Sequence, residues 1–377
     1  MPRPILLFAA LAAVILAAGA MFLAGSGGPP PSVTPSAAPS AGAAVASPTA
    51  ASPSTGPTPS LAMTPYPLAD GEAWIAVESP NGILLIRPDG TGSHLILAAL
   101  PETADRPTTL GWSPDGRQLA FEGRGDRGSQ IWIADADGTN ARKLTQTPDG
   151  CPLNTCVEGV QPAWSPDGTS IAYIAPTHVG GIFEATALMT VDVASGATTT
   201  VYTTSDATLA RPTWSPDGRS IALEVQRYPA SVEIGNPSET VIGVIDLDAP
   251  DAAPTEITDA GLWAGYPFWH PTEDLLVFRT NPFDASSQTL LDPSAPSNLY
   301  TIRPDGSGLT RVTDHPVDGP IVRGPSWTPD GQRIVFGRLT SPNADEELRI
   351  IDATGDNEAS ATGDVITIGE GRWRPTP

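Results

Sequence analysis

The sequence predicts an all-β protein folded as a closed six-bladed β-propeller with four antiparallel strands in each blade. Three observations carry that expectation. The first is a tryptophan followed by a tight-turn tetrapeptide: Trp112-Ser-Pro-Asp-Gly116, Trp164-Ser-Pro-Asp-Gly168, Trp214-Ser-Pro-Asp-Gly218, Trp269-His-Pro-Thr-Glu273 and Trp327-Thr-Pro-Asp-Gly331, with Trp373-Arg-Pro375 near the C-terminus. A recurrence every 46 to 58 residues is one supersecondary unit repeated, as in arrays and propellers. The second is an apolar run after every turn. The third is that the two ends of the repeat region carry complementary pieces of one unit.

Each element of the unit follows from its residues. In Ser-Pro-Asp-Gly the proline presets φ, aspartate tolerates the next position and glycine supplies a positive φ, so the chain reverses between two extended runs. The runs after the turn, such as Leu119-Ala-Phe121, Ile171-Ala-Tyr173, Leu276-Val-Phe278 and Ile334-Val-Phe336, are apolar on consecutive positions. That suits a strand covered on both faces. A third run, Ile131-Trp-Ile133 in one copy, ends in a second turn such as Asp135-Ala-Asp-Gly138 or Arg303-Pro-Asp-Gly306. A short fourth run closes the unit, as in Lys143-Leu-Thr145 and Arg311-Val-Thr313. Four such strands make one propeller blade.

The termini predict closure. Trp74-Ile-Ala-Val77 reads like a second strand, and Ile83 to Arg87 and Leu95 to Leu97 like a third and fourth, with no first strand before them. Gly371-Arg-Trp373 reads like a first strand with no blade behind it. Pairing the two completes a sixth blade and hides both sheet edges.

The repeated Trp-Ser-Pro-Asp-Gly, the Ile-Ala-Phe-type runs, Asp-Ala-Asp-Gly-Thr-Asn140 and Lys-Leu-Thr145 resemble the propeller repeat of TolB-like proteins, related in form to tryptophan-aspartate repeats. The resemblance covers residues 70–377 and implies a six-bladed propeller. A propeller hosts unrelated roles, so it implies no single activity. TolB itself has an α/β domain ahead of its propeller, where this chain has a low-complexity segment.

Three regions are expected. Residues 5–24 are 20 mostly apolar positions after Arg3, long enough to span a bilayer as one transmembrane helix. Two targeting readings stand, an uncleaved signal anchor and a signal peptide cut after Ala18-Gly-Ala20, with a buried core helix as the bland alternative. Positive charge on the short N-terminal side places the propeller outside the cytoplasm, on a single-pass membrane tether or secreted after cleavage. Residues 25–69 are almost wholly Pro, Ala, Ser, Thr and Gly, which cannot bury apolar surface and predicts a disordered linker. Residues 70–377 are the propeller.

With 42 acidic against 20 basic residues, the net charge is −22, and residues 1–69 contribute only Arg3. An acidic propeller repels nucleic acid and anionic membranes, so membrane contact is expected through the N-terminal helix only. Cys151 and Cys156, the two cysteines, are expected to clip their loop as a local disulfide outside the cytoplasm. No G-x-S-x-G, H-E-x-x-H or P-loop occurs, and His94, His178, His270 and His315 fall in four different repeats; no catalytic residue, metal or cofactor is expected. The six repeat tryptophans are expected to pack between blades as core.

Strand parity puts both turn types on one face of the ring. The irregular connections, around residues 147–161, 225–239, 279–298 and 314–324, lie on the other. Variable loops on a repeated scaffold carry recognition. At the channel mouth of that loop-bearing face the expected ligand contacts are Arg106, Gln161, Arg211, Tyr266, Arg323 and Arg372, with Trp263 outside the repeat register. Converging arginines suit a carboxylate or a peptide C-terminus; the bland alternative is pairing with neighbouring acids. The sequence therefore points to a monomeric, non-catalytic binding module for a protein, peptide or glycan. A lyase or hydrolase with its site in the channel and a structural envelope component stand as alternatives.

Overall fold

The computed structural model describes residues 68–375 except 70–71, 90–91, 99, 101–106, 126–127, 147–157, 180–181, 229–236, 238, 250–252, 281–282, 285–288, 291–295, 341–345 and 362–370. The expected membrane helix, all but the last two linker residues, the Cys151–Cys156 pair and Arg106 lie outside the described residues. Among the described residues no helix is long and apolar enough to cross a membrane.

Six four-stranded antiparallel sheets form the blades. Blade 1 comprises Thr108–Trp112, Gln118–Gly125, Gly128–Asp135 and Arg142–Lys143. Blades 2, 3, 4 and 5 begin with Val160–Trp164, Thr208–Trp214, Gly265–Trp269 and Ile321–Trp327, each strand ending on its repeat tryptophan. Blade 6 is the join: Gly371–Trp373 pairs antiparallel with Ile75–Ser79, aligning Trp373 with Ile75 and Gly371 with Val77. A separate two-stranded hairpin, Phe283–Asp284 with Thr289–Leu290, leaves blade 4 between its second and third strands.

The apolar runs explain how blades stack. In the second strand of blade 1, Leu119 and Phe121 pack toward blade 6 while Ala120 joins the cluster shared with blade 2. In blade 4, Leu276 and Phe278 face blade 3 and Val277 faces blade 5. The alternation of large and small residues fills a wedge between successive blades, because side chains along a strand point to opposite faces. Burying both faces at every step makes the second strands the driest part of the molecule; Phe121, Phe278 and Phe336 are fully buried. The terminal Thr of the fourth run also has a structural task. Thr145, Thr258 and Thr313 are buried, and each Oγ1 accepts a backbone N–H of the third strand, from Ile131, Ile242 and Leu299, at 2.9 Å.

The turns stack as well. In blade 2, Ser165 Oγ donates to Asp167 Oδ1 at 2.6 Å, Asp167 accepts Thr169 N–H at 3.0 Å, and Ser165 Oγ accepts Ser170 N–H at 3.0 Å. Blades 1, 3 and 5 repeat this lattice with Ser113–Asp115, Ser215–Asp217 and Thr328–Asp330. The serine hydroxyl, helped by a backbone N–H, holds the Asp167 and Asp217 carboxyls below their ordinary range by hydrogen bonding, as the Thr328 hydroxyl and a backbone N–H do for Asp330. Blade 4 substitutes His270: its Nδ1 accepts Thr272 N–H at 3.2 Å and Glu273 N–H at 3.0 Å. That leaves the proton on Nε2, 3.2 Å from the Gly331 carbonyl of blade 5, which accepts it.

Candidate functional site

The first strands surround a central cavity of about 460 Å³. Its wall takes a proline from each of the five turns, Pro114, Pro166, Pro216, Pro271 and Pro329, together with Pro375 after the closing strand, so the cavity extends to the turn-bearing end of the channel. The sequence pointed instead to the loop-bearing mouth. It also assigned the six repeat tryptophans to the core alone. All six line the cavity, and Trp164, Trp214 and Trp373 are only half-buried. Three of them stitch blades together through the indole N–H: Trp112 donates to the Arg372 carbonyl at 3.0 Å, Trp214 to Ala163 at 3.1 Å and Trp327 to Phe268 at 3.3 Å. A side chain spanning the space between blades can seal that gap with one face and line the channel with an edge.

In blades 1 to 5 the first strand bulges three residues before its tryptophan. Thr109, Gln161, Arg211 and Tyr266 have φ of 50°, 57°, 54° and 58°, and Gly324 takes the same place at 30°. Pairing with the second strand skips two residues there in blades 1 to 5. The left-handed conformation disfavours non-glycine residues and persists only where surroundings hold it. Here the preceding blade does so. Thr109 N–H donates to Glu78 Oε1 at 2.6 Å, Arg211 N–H to Gln161 Oε1 at 2.7 Å, and Tyr266 N–H to Glu224 Oε2 at 3.1 Å.

A polar network stands behind this ring. Arg211 Nη2 donates to the Tyr266 hydroxyl at 2.6 Å, and its guanidinium carbon lies 4.1 Å from the Tyr266 ring centroid. The guanidinium carbon of Arg279 lies 3.9 Å from the same centroid, and its Nη1 donates to the Val322 carbonyl at 3.1 Å. Arg279 and Glu224 are each 2% exposed. Burial pulls the Arg279 guanidinium below its usual range, against the opposing pull of Tyr266 and Glu224. Burial raises the Glu122 carboxyl, although Ser129 and Thr109 hydroxyls donate to it.

The expected contacts separate into two groups. Gln161, Arg211, Tyr266 and Arg372 line the cavity, and Arg372 also places its guanidinium carbon 5.0 Å from the Phe268 ring centroid. Arg323 does not join that wall: it pairs at 3.4 Å with Glu346 of its own blade, because it sits one residue before the bulge and is directed to the opposite side of the strand. Trp263 is also outside the wall, half-buried in left-handed conformation as the C-cap of a short 3-10 turn over Ala260–Leu262. Sequence reasoning missed Glu78, Glu224 and Arg279. A signal was present: each is a charge ending an apolar run that is otherwise covered on both faces.

Among the described residues no group of three His, Cys, Asp or Glu side chains is arranged to hold a metal ion. His270 lies in the cavity wall with both ring nitrogens engaged in the two turns it joins.

No protein-family model matches the chain. A stretch of 68 residues is 46% identical to the uncharacterized peptidase YuxL of Bacillus subtilis, covering 18% of this chain and 9% of the relative. A stretch of 46 residues is 44% identical to the Tol-Pal system protein TolB of Albidiferax ferrireducens, covering 12% and 9%. The chain thus spans about a tenth of the length of these curated relatives. Among solved structures it is similar to TolB from Acinetobacter baumannii, with a TM-score of 0.57 and 14% identity over 80% of this chain and 66% of that one. It is also similar to a TolB from Agrobacterium tumefaciens, at 0.54 and 17% over 77% and 88%. What these likenesses establish, together with the blade architecture, is a TolB-like six-bladed propeller fold.

Proposed function

We propose that the propeller is a non-catalytic binding module for a protein, peptide or glycan partner, held outside the cytoplasm by a membrane tether at residues 5–24 or released if that segment is cleaved. The observation that carries this reading is the channel wall. It combines six tryptophans, five turn prolines and Pro375 with Arg211, Arg372, Gln161 and Tyr266, the mix of apolar surface and few fixed polar groups that marks a ligand site. The wall histidine is occupied in holding turns, and the wall serines Ser165 and Ser215 each donate to a turn aspartate and accept a backbone N–H. Neither group is arranged as a base beside a nucleophile. The TolB fold likeness agrees with a binding role.

Affinity capture with the full chain from cell envelopes tests the reading. A partner recovered by the wild type and lost with Tyr266→Ala, whose melting temperature stays near that of the wild type, is the expected result. Hydrolysis or elimination of a substrate by the purified chain, or undiminished capture by that variant, overturns it.

A further inference from the structure

We infer that the chain carries its own occupant for the channel: residues 61–67 dock at the turn-bearing mouth and direct Leu61 and Met63 between the wall tryptophans, so that an outside partner must displace them. This concerns the channel before any partner arrives and does not depend on the binding-module reading. The second strand of a blade begins at the turn-bearing face, and Ile75–Ser79 is the second strand of blade 6. The chain therefore reaches the propeller from that side. The Ala69 carbonyl accepts Arg374 Nη1 at 3.1 Å, and the same guanidinium donates through Nε to the Gly116 carbonyl in the turn of blade 1 at 2.8 Å. Pro375, one residue after Arg374, and Pro114, two before Gly116, both stand in the cavity wall. Leu68 is seated there already, packed on the cluster that contains the wall tryptophan Trp112.

The residues ahead of Leu68 have the composition of a docking segment. Between residues 25 and 60 the largest aliphatic side chains are those of Val33 and Val45, whereas Leu61, Met63 and Tyr66 then follow in close succession, and residues 61–67 carry no charge. Such side chains stabilise only where they can cover apolar surface. The surface within their reach is the channel wall, where Trp164, Trp214 and Trp373 are only half-buried beside the turn prolines. Aromatic grooves take extended, proline-containing segments whose ordering costs little entropy, and Pro65 and Pro67 push Thr64 and Tyr66 toward extended backbone. Seven residues in that form span about 22 Å. Ala69 and the blade 1 turn are bridged by one guanidinium, so most of that length is left to enter a channel about 17 Å deep over the five residues from turn to bulge. An uncharged segment also passes Asp115, Asp167, Asp217 and Asp330, each one residue beyond a wall proline, without repulsion. A short tether holds it at an effective concentration on the order of mM, so weak contacts are enough to keep the channel filled.

Acrylamide quenching of tryptophan fluorescence in the full chain tests the inference. Leu61→Ser with Met63→Ser and Tyr66→Ser is expected to raise the quenching constant about twofold, because the half-buried wall tryptophans lose their cover. Adding the peptide acetyl-Leu-Ala-Met-Thr-Pro-Tyr-Pro-amide to that variant should restore protection, and Val33→Ser with Val45→Ser should leave the constant unchanged. A second measurement does not rely on the triple variant folding: p-benzoylphenylalanine placed at Met63 of the otherwise native chain should, on illumination, cross-link within the same chain to the stretches 164–166 or 214–216. Unchanged quenching in a folded triple variant, an equal rise in the Val33 and Val45 control, or cross-links confined to the outer strands or to a second copy overturns the inference. Loss of tryptophan protection with partner capture intact breaks this inference alone, and failure of capture with protection intact breaks the binding-module reading alone.

Discussion

Two rings of residues encircle the channel five positions apart along the first strands, and they are built by opposite rules. The turn ring repeats: Ser or Thr, Pro, Asp and Gly recur in blades 1, 2, 3 and 5 with the same hydrogen bonds. The bulge ring keeps its backbone and changes its side chains, from Thr109 to Gln161, Arg211, Tyr266 and Gly324. A position whose geometry recurs while its chemistry varies is free of the packing constraint that fixes the turn. Its variation is therefore where specificity can be written, and the turn ring is where the closed circle is maintained.

Breaking the circle should have the largest effect. Removing residues 371–377 deletes the strand aligned with Ile75–Val77 and the buried Arg374, whose Nε donates to the Gly116 carbonyl at 2.8 Å and whose backbone N–H donates to Trp74 at 2.7 Å. Losses of several kcal/mol are expected, lowering the melting temperature by roughly 6 °C or more. A truncated chain melting within about 2 °C of the intact one would show that the ring holds without its closing strand.

Within the turn ring, blade 4 offers a sharper contrast. A Cβ at Gly331, with φ at 68°, would run into the His270 ring, whereas a Cβ at Gly168, with φ at 71°, meets Pro114 at an easily relieved 3.3 Å. Gly331→Ala should cost about 2 to 3 kcal/mol and Gly168→Ala about 1. Chemical denaturation of both variants checks the ordering, and equal losses would remove the inter-blade role of the histidine.

Acid should reveal the turn ring next. The folded-state carboxyls of Asp167, Asp217 and Asp330 lie below their ordinary range. Their contribution is present above the unfolded value near 3.9 and is lost as pH falls through the depressed folded values. Melting temperature should fall on going from about pH 4.5 to pH 2.5, and Asp167→Asn with Asp217→Asn and Asp330→Asn should flatten that fall. An unchanged slope in the triple variant would assign the acid sensitivity elsewhere.

The bulge ring should respond least in stability. Thr109→Gly keeps the N–H that donates to Glu78 and relieves a left-handed threonine, so a change within about 1 kcal/mol, toward greater stability, is expected. A large loss would mean that the side chain at this position, through its 3.4 Å contact with Glu122, carries structure rather than specificity.

Much of this was legible in one dimension because the repeat is local chemistry. Proline and glycine at fixed places determine a turn whatever surrounds it, and Leu-Ala-Phe or Leu-Val-Phe determines a strand with two buried faces. The candidate site was legible in part: Gln161, Arg211, Tyr266 and Arg372 were picked out by their place before the tryptophans. Arg323 stands outside the cavity wall because a bulge shifts which side of the strand a residue occupies, and no spacing in the sequence announces a bulge that leaves the turn unchanged.

The sequence by itself determined the number of blades, the strands within them and the pairing that closes the ring, since each depends on residues adjacent along the chain or on two incomplete ends. Only the tertiary structure decided that the tryptophans serve both the gaps between blades and the channel wall, and that Glu78 and Glu224 hold the strained backbone of the next blade. It also decided that the cavity reaches the turn-bearing end and that Arg211 and Arg372 are among its lining residues. These facts are set by which side chains from six separate repeats meet around one axis, and such convergence exists only after the ring has formed.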